Sequence, residues 1–268
     1  MYEELDTAKQ TAVRAGAILL ERYTRASDPD QEPGEPTREA RQSVNGFLVK
    51  ELKRAFPDDG ILSAEDCDHN FPSSTSRIWM IEPLDGTREF EDGRDKFAVM
   101  IGLSVGGAAS LGVIYQPKTE KMYYALSGSG AFLSENRTTR LLQVPRESDP
   151  LRMTIVHSRL PHSPGTGPLQ RKLGVGVGML YGSLGLNIGL ICEGAAHLYV
   201  HPSRNAYPWD TCAPEVILHE ARGRITNRFD APLRYDAVVG NPGPVIASNG
   251  AIHNQIVQAA QSLLPGTS

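Results

Sequence analysis

Only three cysteines occur in the chain, Cys67, Cys192 and Cys212, and no two stand in a CxxC spacing. That excludes a disulfide framework and fits a reducing compartment, so the sequence predicts a cytoplasmic protein. Long hydrophobic runs are also missing. No apolar stretch outlasts a strand, so no membrane-spanning segment is expected. The first residues show no charged region followed by an apolar one, so no secretory leader is expected. Nor does one sign of charge dominate. The 27 Lys and Arg and 31 Asp and Glu are mixed along the chain and sum to −4. That balance does not predict a nucleic-acid surface, which needs a basic excess. The histidines contain no HExxH motif, so a zinc centre is not expected. No internal repeat or long low-complexity segment is present.

What is present is an ordered run of patterned segments. Residues 3–24 carry Ala8, Ala12, Ala15, Ile18, Leu19 and Tyr23 at helical spacing. A second helix is predicted over 40–55, with Val44, Phe47, Leu48, Leu52 and Phe56 on one stripe. Between them "SDPDQEPGEPT", residues 27–37, reads as a mobile surface loop. Short strands follow at 61–62, 77–82, 97–105, 109–116 and 121–126, with a pair around 131–143, and their turns predict an antiparallel meander. The second half alternates: strand 153–157, a possible helix 168–174, helix 184–193, strand 196–201, helix 210–222, strand 243–247 and helix 250–263. That is an α/β pattern. The expected division is 1–148, helices on an antiparallel sheet, and 149–268, an α/β half.

One strand ends in chemistry. "RIWMIEPLDGTREF" runs from an apolar strand into Glu82 and Asp85, three apart, and then into a Gly86-Thr87 turn. Pro83 stops the ladder and Gly86 permits a tight turn. Thr87 reads as the cap of a short helix, whose first amides would seat a phosphate. Asp85 would repel that phosphate unless a divalent cation lay between them, and hard oxygen donors suit Mg²⁺. The motif alone reads equally as a capped turn with surface acids. A second acid, Asp210 in "YPWDTCAPEVILHEARG", precedes a helix and reads as its N-cap or as a metal-facing carboxylate. A third, Glu65 in "ILSAEDCD", reads as part of a polar loop when taken by itself. Cys212 reads as a small core residue, and His157 and His162 as loop histidines.

Taken together, "ILSAED", "IEPLDGT" and "WDTCAPEVILHEA" resemble the inositol monophosphatase-like superfamily of Mg²⁺-dependent, lithium-sensitive phosphatases. "CEGAAHLY" (192–199) and "PLRYDAVVGNPGPVIAS" (232–248) look most like its 3′(2′),5′-bisphosphate nucleotidase, or CysQ-type, branch. The resemblance implies a layered αβαβα sandwich, a homodimer and a small-molecule phosphate substrate. It also implies one to three Mg²⁺ ions. In that reading Glu82, the Leu84 carbonyl, Asp85 and Asp210 are metal ligands, and Thr87 orients the attacking water. Gly86 and Thr87 amides seat the phosphate. Ser183, Arg41 and Asp210 are placed at the substrate, and Glu65 acts on metal and water.

The chain departs from the family pattern at the same place. Glu82 stands where the family reads Asp, and Ala64 stands where it reads a ligating Glu, which leaves Glu65 to take over. Arg41 stands where the family has an Asp near the site. Gly185 and Asn187 replace residues that contact phosphate. Three readings follow: a phosphomonoesterase with a modified metal set, a repurposed site doing other chemistry on an anionic metabolite, and a non-catalytic binding protein.

Overall fold

Strand β2 (Arg77–Asp85) is buried at every residue but its two ends, as a strand covered on both faces must be. Trp79 and Ile81 enter one core; Ile78 and Met80 enter another on the opposite face. The computed structural model describes residues 1–26, 34–65, 76–158, 166–201, 206–236 and 243–263. Around β2 lie β1 (Gly60–Ser63), β3 (Ala98–Val105), β4 (Ala108–Gln116), β5 (Lys121–Leu126), β6 (Ala131–Glu135) and β7 (Thr138–Leu142), in sequence order across one sheet. All neighbours pair antiparallel except β1 and β2, which are parallel. The predicted meander is therefore present, with a parallel strand added at its edge.

Helices α1 (Tyr2–Ala26) and α2 (Glu35–Ala55) cover one face of this sheet. The predicted stripes are their buried faces: Ala8, Ala12, Ala15 and Leu19 on α1, and Val44, Leu48 and Leu52 on α2, are fully buried. Helix α2 starts earlier than its periodicity suggested. Gly34 turns left-handed at φ 82° and Pro36 sits in the first turn, a position that needs no amide donor. Residues 35–37 are thus helical rather than loop; the rest of that expected loop, 27–33, lies outside the described residues.

The other face carries α5 (Leu184–Glu193) and α6 (Pro208–Glu220). Beyond them is a mixed sheet of β8 (Thr154–Ser158), β9 (Val177–Tyr181), β10 (Leu198–His201), β11 (Arg224–Asn227) and β12 (Val245–Ser248), ordered β11-β12-β10-β8-β9. Helices α4 (Thr166–Leu173) and α7 (His253–Gln261) close its outer face. The layers are helix, sheet, helix, sheet, helix, the expected αβαβα sandwich. Strands β9 and β11 were missed in the sequence. Val177 and Leu180 of β9 are more than half exposed, so no buried alternation marks it. β11 is four residues with Arg224 and Asn227 at its ends.

Two glycines set how close α6 comes. Gly102 on β3 and Gly112 on β4 are cross-strand partners. A Cβ on Gly112 would sit 2.4 Å from the Ala213 carbonyl oxygen, and one on Gly102 would sit 2.8 Å from Cys212 Sγ. Helix α6 therefore rests directly on backbone, with Cys212 buried in the contact as a small core residue.

Candidate active site

Strand β2 loses register with β3 between Glu82 and Asp85, as Pro83 requires, and the chain then turns at Gly86. Gly86 has φ 87°, and a Cβ there would stand 2.7 Å from the Lys96 carbonyl oxygen. Only glycine fits both the conformation and the space. The helix that follows, α3 (Thr87–Glu91), is capped by Gly86, not by Thr87 as its sequence suggested. Thr87 is instead its first residue, and its hydroxyl donates to the Leu84 carbonyl at 3.4 Å.

The start of α5 meets this turn. Asp85 Oδ2 accepts from Ser183 Oγ at 2.5 Å and from Gly185 N–H at 2.8 Å, and Oδ1 accepts from Leu184 N–H at 3.2 Å. Ser183 also caps α5, its oxygen accepting from Leu186 N–H at 3.1 Å. Ser183, expected at the ligand, is fully buried, so its hydroxyl reaches the cleft through Asp85. Gly185 aligns the carboxylate, and a Cβ there would lie 2.5 Å from Met100 Sδ. Asn187 is fully buried and does not line the cleft.

Asp210 arrives on α6. The helix begins at Pro208, two residues before the expected cap, so Asp210 is its third residue and its Oδ2 accepts from the Tyr207 N–H at 2.8 Å. Its other oxygen is left for the cleft. Tyr207 and Trp209 stack at 4.7 Å and wall this side. The Glu82 carboxylate is buried and accepts from Leu84 N–H at 3.2 Å. Arg41 Nη2 lies 2.7 Å from Glu65 Oε1 and 3.9 Å from Glu82 Oε1. Glu65 is thus committed to an ion pair, while Ala64 presents a methyl group to the cleft.

Two adjoining clefts of about 410 and 460 Å³ share Asp85, Gly86, Thr87 and Asp210 as their floor. One extends past Arg41 and Glu82, the other past Arg88, Glu89 and His201. The acids on this floor disturb one another. Burial pushes Asp210 up to about 7, the charge of Asp85 adds to it, and the Tyr207 amide and Arg41 oppose it. Burial also raises Asp85, against the donors from Ser183, Gly185, Leu184 and Gly86. Burial raises Glu82 well above the carboxylate range, with Asp210 and Asp85 adding to it and Arg41 countering it.

A hard divalent cation fits this donor set: buried carboxylates, two of them raised further by a neighbouring acid, are relieved by a positive charge, and a backbone carbonyl lies beside them. Among the described residues, however, no group of three or more His, Cys, Asp or Glu side chains is disposed to hold a metal ion. His197 and His201 stand four apart, but His201 ends strand β10 and His197 precedes it, so no helical turn brings them together, and His197 Nδ1 accepts from Thr154 N–H at 3.0 Å. His162 lies outside the described residues; His157 Nε2 is 2.9 Å from Gln170 Oε1.

Comparison with known proteins fits the same picture. The model of the inositol monophosphatase family matches residues 1–264. A histidinol-phosphatase of Chlorobaculum parvum is 31% identical over 96% of this chain and 96% of its own length. The 3′(2′),5′-bisphosphate nucleotidase CysQ of Haemophilus influenzae is 32% identical over 84% of each chain. An inositol monophosphatase structure from Anabaena superposes with a TM-score of 0.78 at 26% identity, covering 98% of this chain and 97% of that one.

Proposed function

The chain belongs to the inositol monophosphatase family, and from that premise we propose that it hydrolyses a phosphate monoester of a small metabolite with the help of a bound divalent cation, Mg²⁺ above all. The observation that supports this reading best is the meeting of Asp85 and Asp210. They come from the ends of a strand and a helix 125 positions apart, and both form the floor shared by the two clefts. Asp85, Asp210 and the Leu84 carbonyl would hold the ion, which when bound neutralises phosphate charge and makes water a better nucleophile.

The protein's own groups do the remaining work. Ser183 and the α5 amides fix the direction of Asp85. The Tyr207 amide holds one oxygen of Asp210 and turns the other outward. Thr87 keeps its hydroxyl on the cleft floor next to the Leu84 carbonyl, where it orients water. The Thr87 amide takes the phosphate, since the Gly86 amide already donates to Asp85, and Arg41 adds a fixed positive charge. Holding nucleophile and phosphate in line is the main contribution such a site makes.

The substrate class is a phosphorylated polar metabolite: a 3′-phosphonucleotide such as adenosine 3′,5′-bisphosphate, histidinol phosphate, or an inositol or sugar phosphate. The resemblance also supports a homodimer. The test is phosphate release from adenosine 3′,5′-bisphosphate, histidinol phosphate and inositol 1-phosphate, each with Mg²⁺ and with EDTA. Release that needs Mg²⁺ is expected from at least one. Ala64 and the Arg41–Glu65 pair favour a second reading, a cleft that binds such a compound without cleaving it. That reading gains if all three bind by calorimetry and none releases phosphate.

A further inference from the structure

Four carboxylates, Glu65, Glu82, Asp85 and Asp210, border the clefts or pair with a group that does, and one guanidinium faces the first two of them. Arg41 touches Glu65 at 2.7 Å and lies 3.9 Å from Glu82. Both ends of this arrangement are anchored. Arg41 extends from α2 between the fully buried Ala40 and Val44, and Glu82 is pinned by the Leu84 amide. The neighbouring residue that could have offered an oxygen is Ala64, whose methyl lines the same cleft. One substitution removes a donor and the other installs a charge, at the same end of the cleft.

We propose that Arg41 is a permanent cation of the centre: its guanidinium stands between Glu65 and Glu82 in the place of a divalent ion, so that the protein binds one divalent cation, at Asp85 and Asp210. This rests on the metal-assisted reading above. A guanidinium stays charged at every physiological pH and satisfies carboxylates in fixed planar geometry. Mg²⁺ needs several oxygens at about 2.0–2.1 Å, and an ion at Glu65 would have to share that carboxylate with Arg41, which holds its Oε1. A second divalent ion would also meet the guanidinium charge at short range. Part of the positive charge of the site is then independent of metal supply.

The test counts Mn²⁺ bound by the full chain without substrate, by the electron paramagnetic resonance of the free ion, with melting curves to confirm folding. Wild type should bind one ion. Arg41→Ala should bind two, and adding Glu65→Gln to it should return the count to one. Arg41→Lys, which keeps the charge, should stay at one and serves if Arg41→Ala does not fold. A wild-type count of two or more, a count of zero, or a folded Arg41→Ala protein that still binds one would overturn the proposal. Because no substrate is present, a wild type that binds one ion and an Arg41→Ala variant that binds two support Arg41 as the cation even if no phosphate is released, a result that counts only against the phosphatase reading.

Discussion

Asp85 accepts hydrogen bonds from Ser183, Leu184 and Gly185 before any ligand arrives. A carboxylate aimed in this way loses precision when one donor goes. Replacing a group that orients a metal-binding residue typically costs about 10–100-fold in metal affinity or activity. Ser183→Ala should therefore weaken Mg²⁺ activation by about that factor, read as a rise in the Mg²⁺ concentration needed for half-maximal phosphate release. Some of this was legible in the sequence. Asp85, Gly86 and Asp210 are announced by short motifs whose roles depend on neighbours in the chain. The part played by Ser183 was not, because its partner lies 98 positions away and is found only once α5 is placed against β2. Thr87 was read as a cap for a related reason: a left-handed glycine ended the turn one residue sooner than its side-chain chemistry suggested.

Helix α6 carries Asp210 at its start and sits on the Gly102–Gly112 pair. Gly112→Ala would press a methyl into the Ala213 carbonyl and lift the helix. Overpacking of this kind costs about 1–3 kcal/mol, and it should lower both the melting temperature and phosphate release because Asp210 moves with the helix. A glycine inside a strand does signal close backbone approach, and both glycines were visible in the predicted strands. What approaches them was not visible. The same helix holds a buried acid at Glu215, whose carboxylate accepts from the Tyr235 hydroxyl. Burial pushes Glu215 up to about 7, opposed by that hydroxyl. The folded form thus holds its proton more tightly than the unfolded chain does. The cost of ionising it is absent below the ordinary carboxylate value, grows as pH rises, and is complete above 7. Glu215→Gln, which can still accept from Tyr235, should melt higher than wild type at pH 8, with an advantage on the order of 2–3 kcal/mol at most, and this advantage should vanish near pH 4.5. Differential scanning calorimetry across that range checks both ends.

Among the described residues, the seven strands of one sheet precede residue 143 and the five of the other follow residue 153; the sequence pattern changes in that stretch. It does not reveal that one core joins them. Met80, Met100 and Ile114 from the first sheet pack in the same cluster as Val156, Tyr199 and Val245 from the second. The order β11-β12-β10-β8-β9 was equally hidden, since it depends on pairings between distant segments rather than on local pattern. Separating the halves would expose that shared core, so we expect one cooperative unfolding transition, with calorimetric and van't Hoff enthalpies in agreement. Two resolved transitions would contradict this. The clefts lie where the layers meet, which brings Asp85 of β2 and Asp210 of α6 to one floor. The most direct test of the account is phosphate release by wild type and by Asp85→Asn on the three phosphate esters with Mg²⁺. It predicts Mg²⁺-dependent release by wild type from at least one ester and a loss of about 100-fold or more in a variant that still melts cooperatively. No release by wild type from any of them, or equal release by the variant, would contradict it.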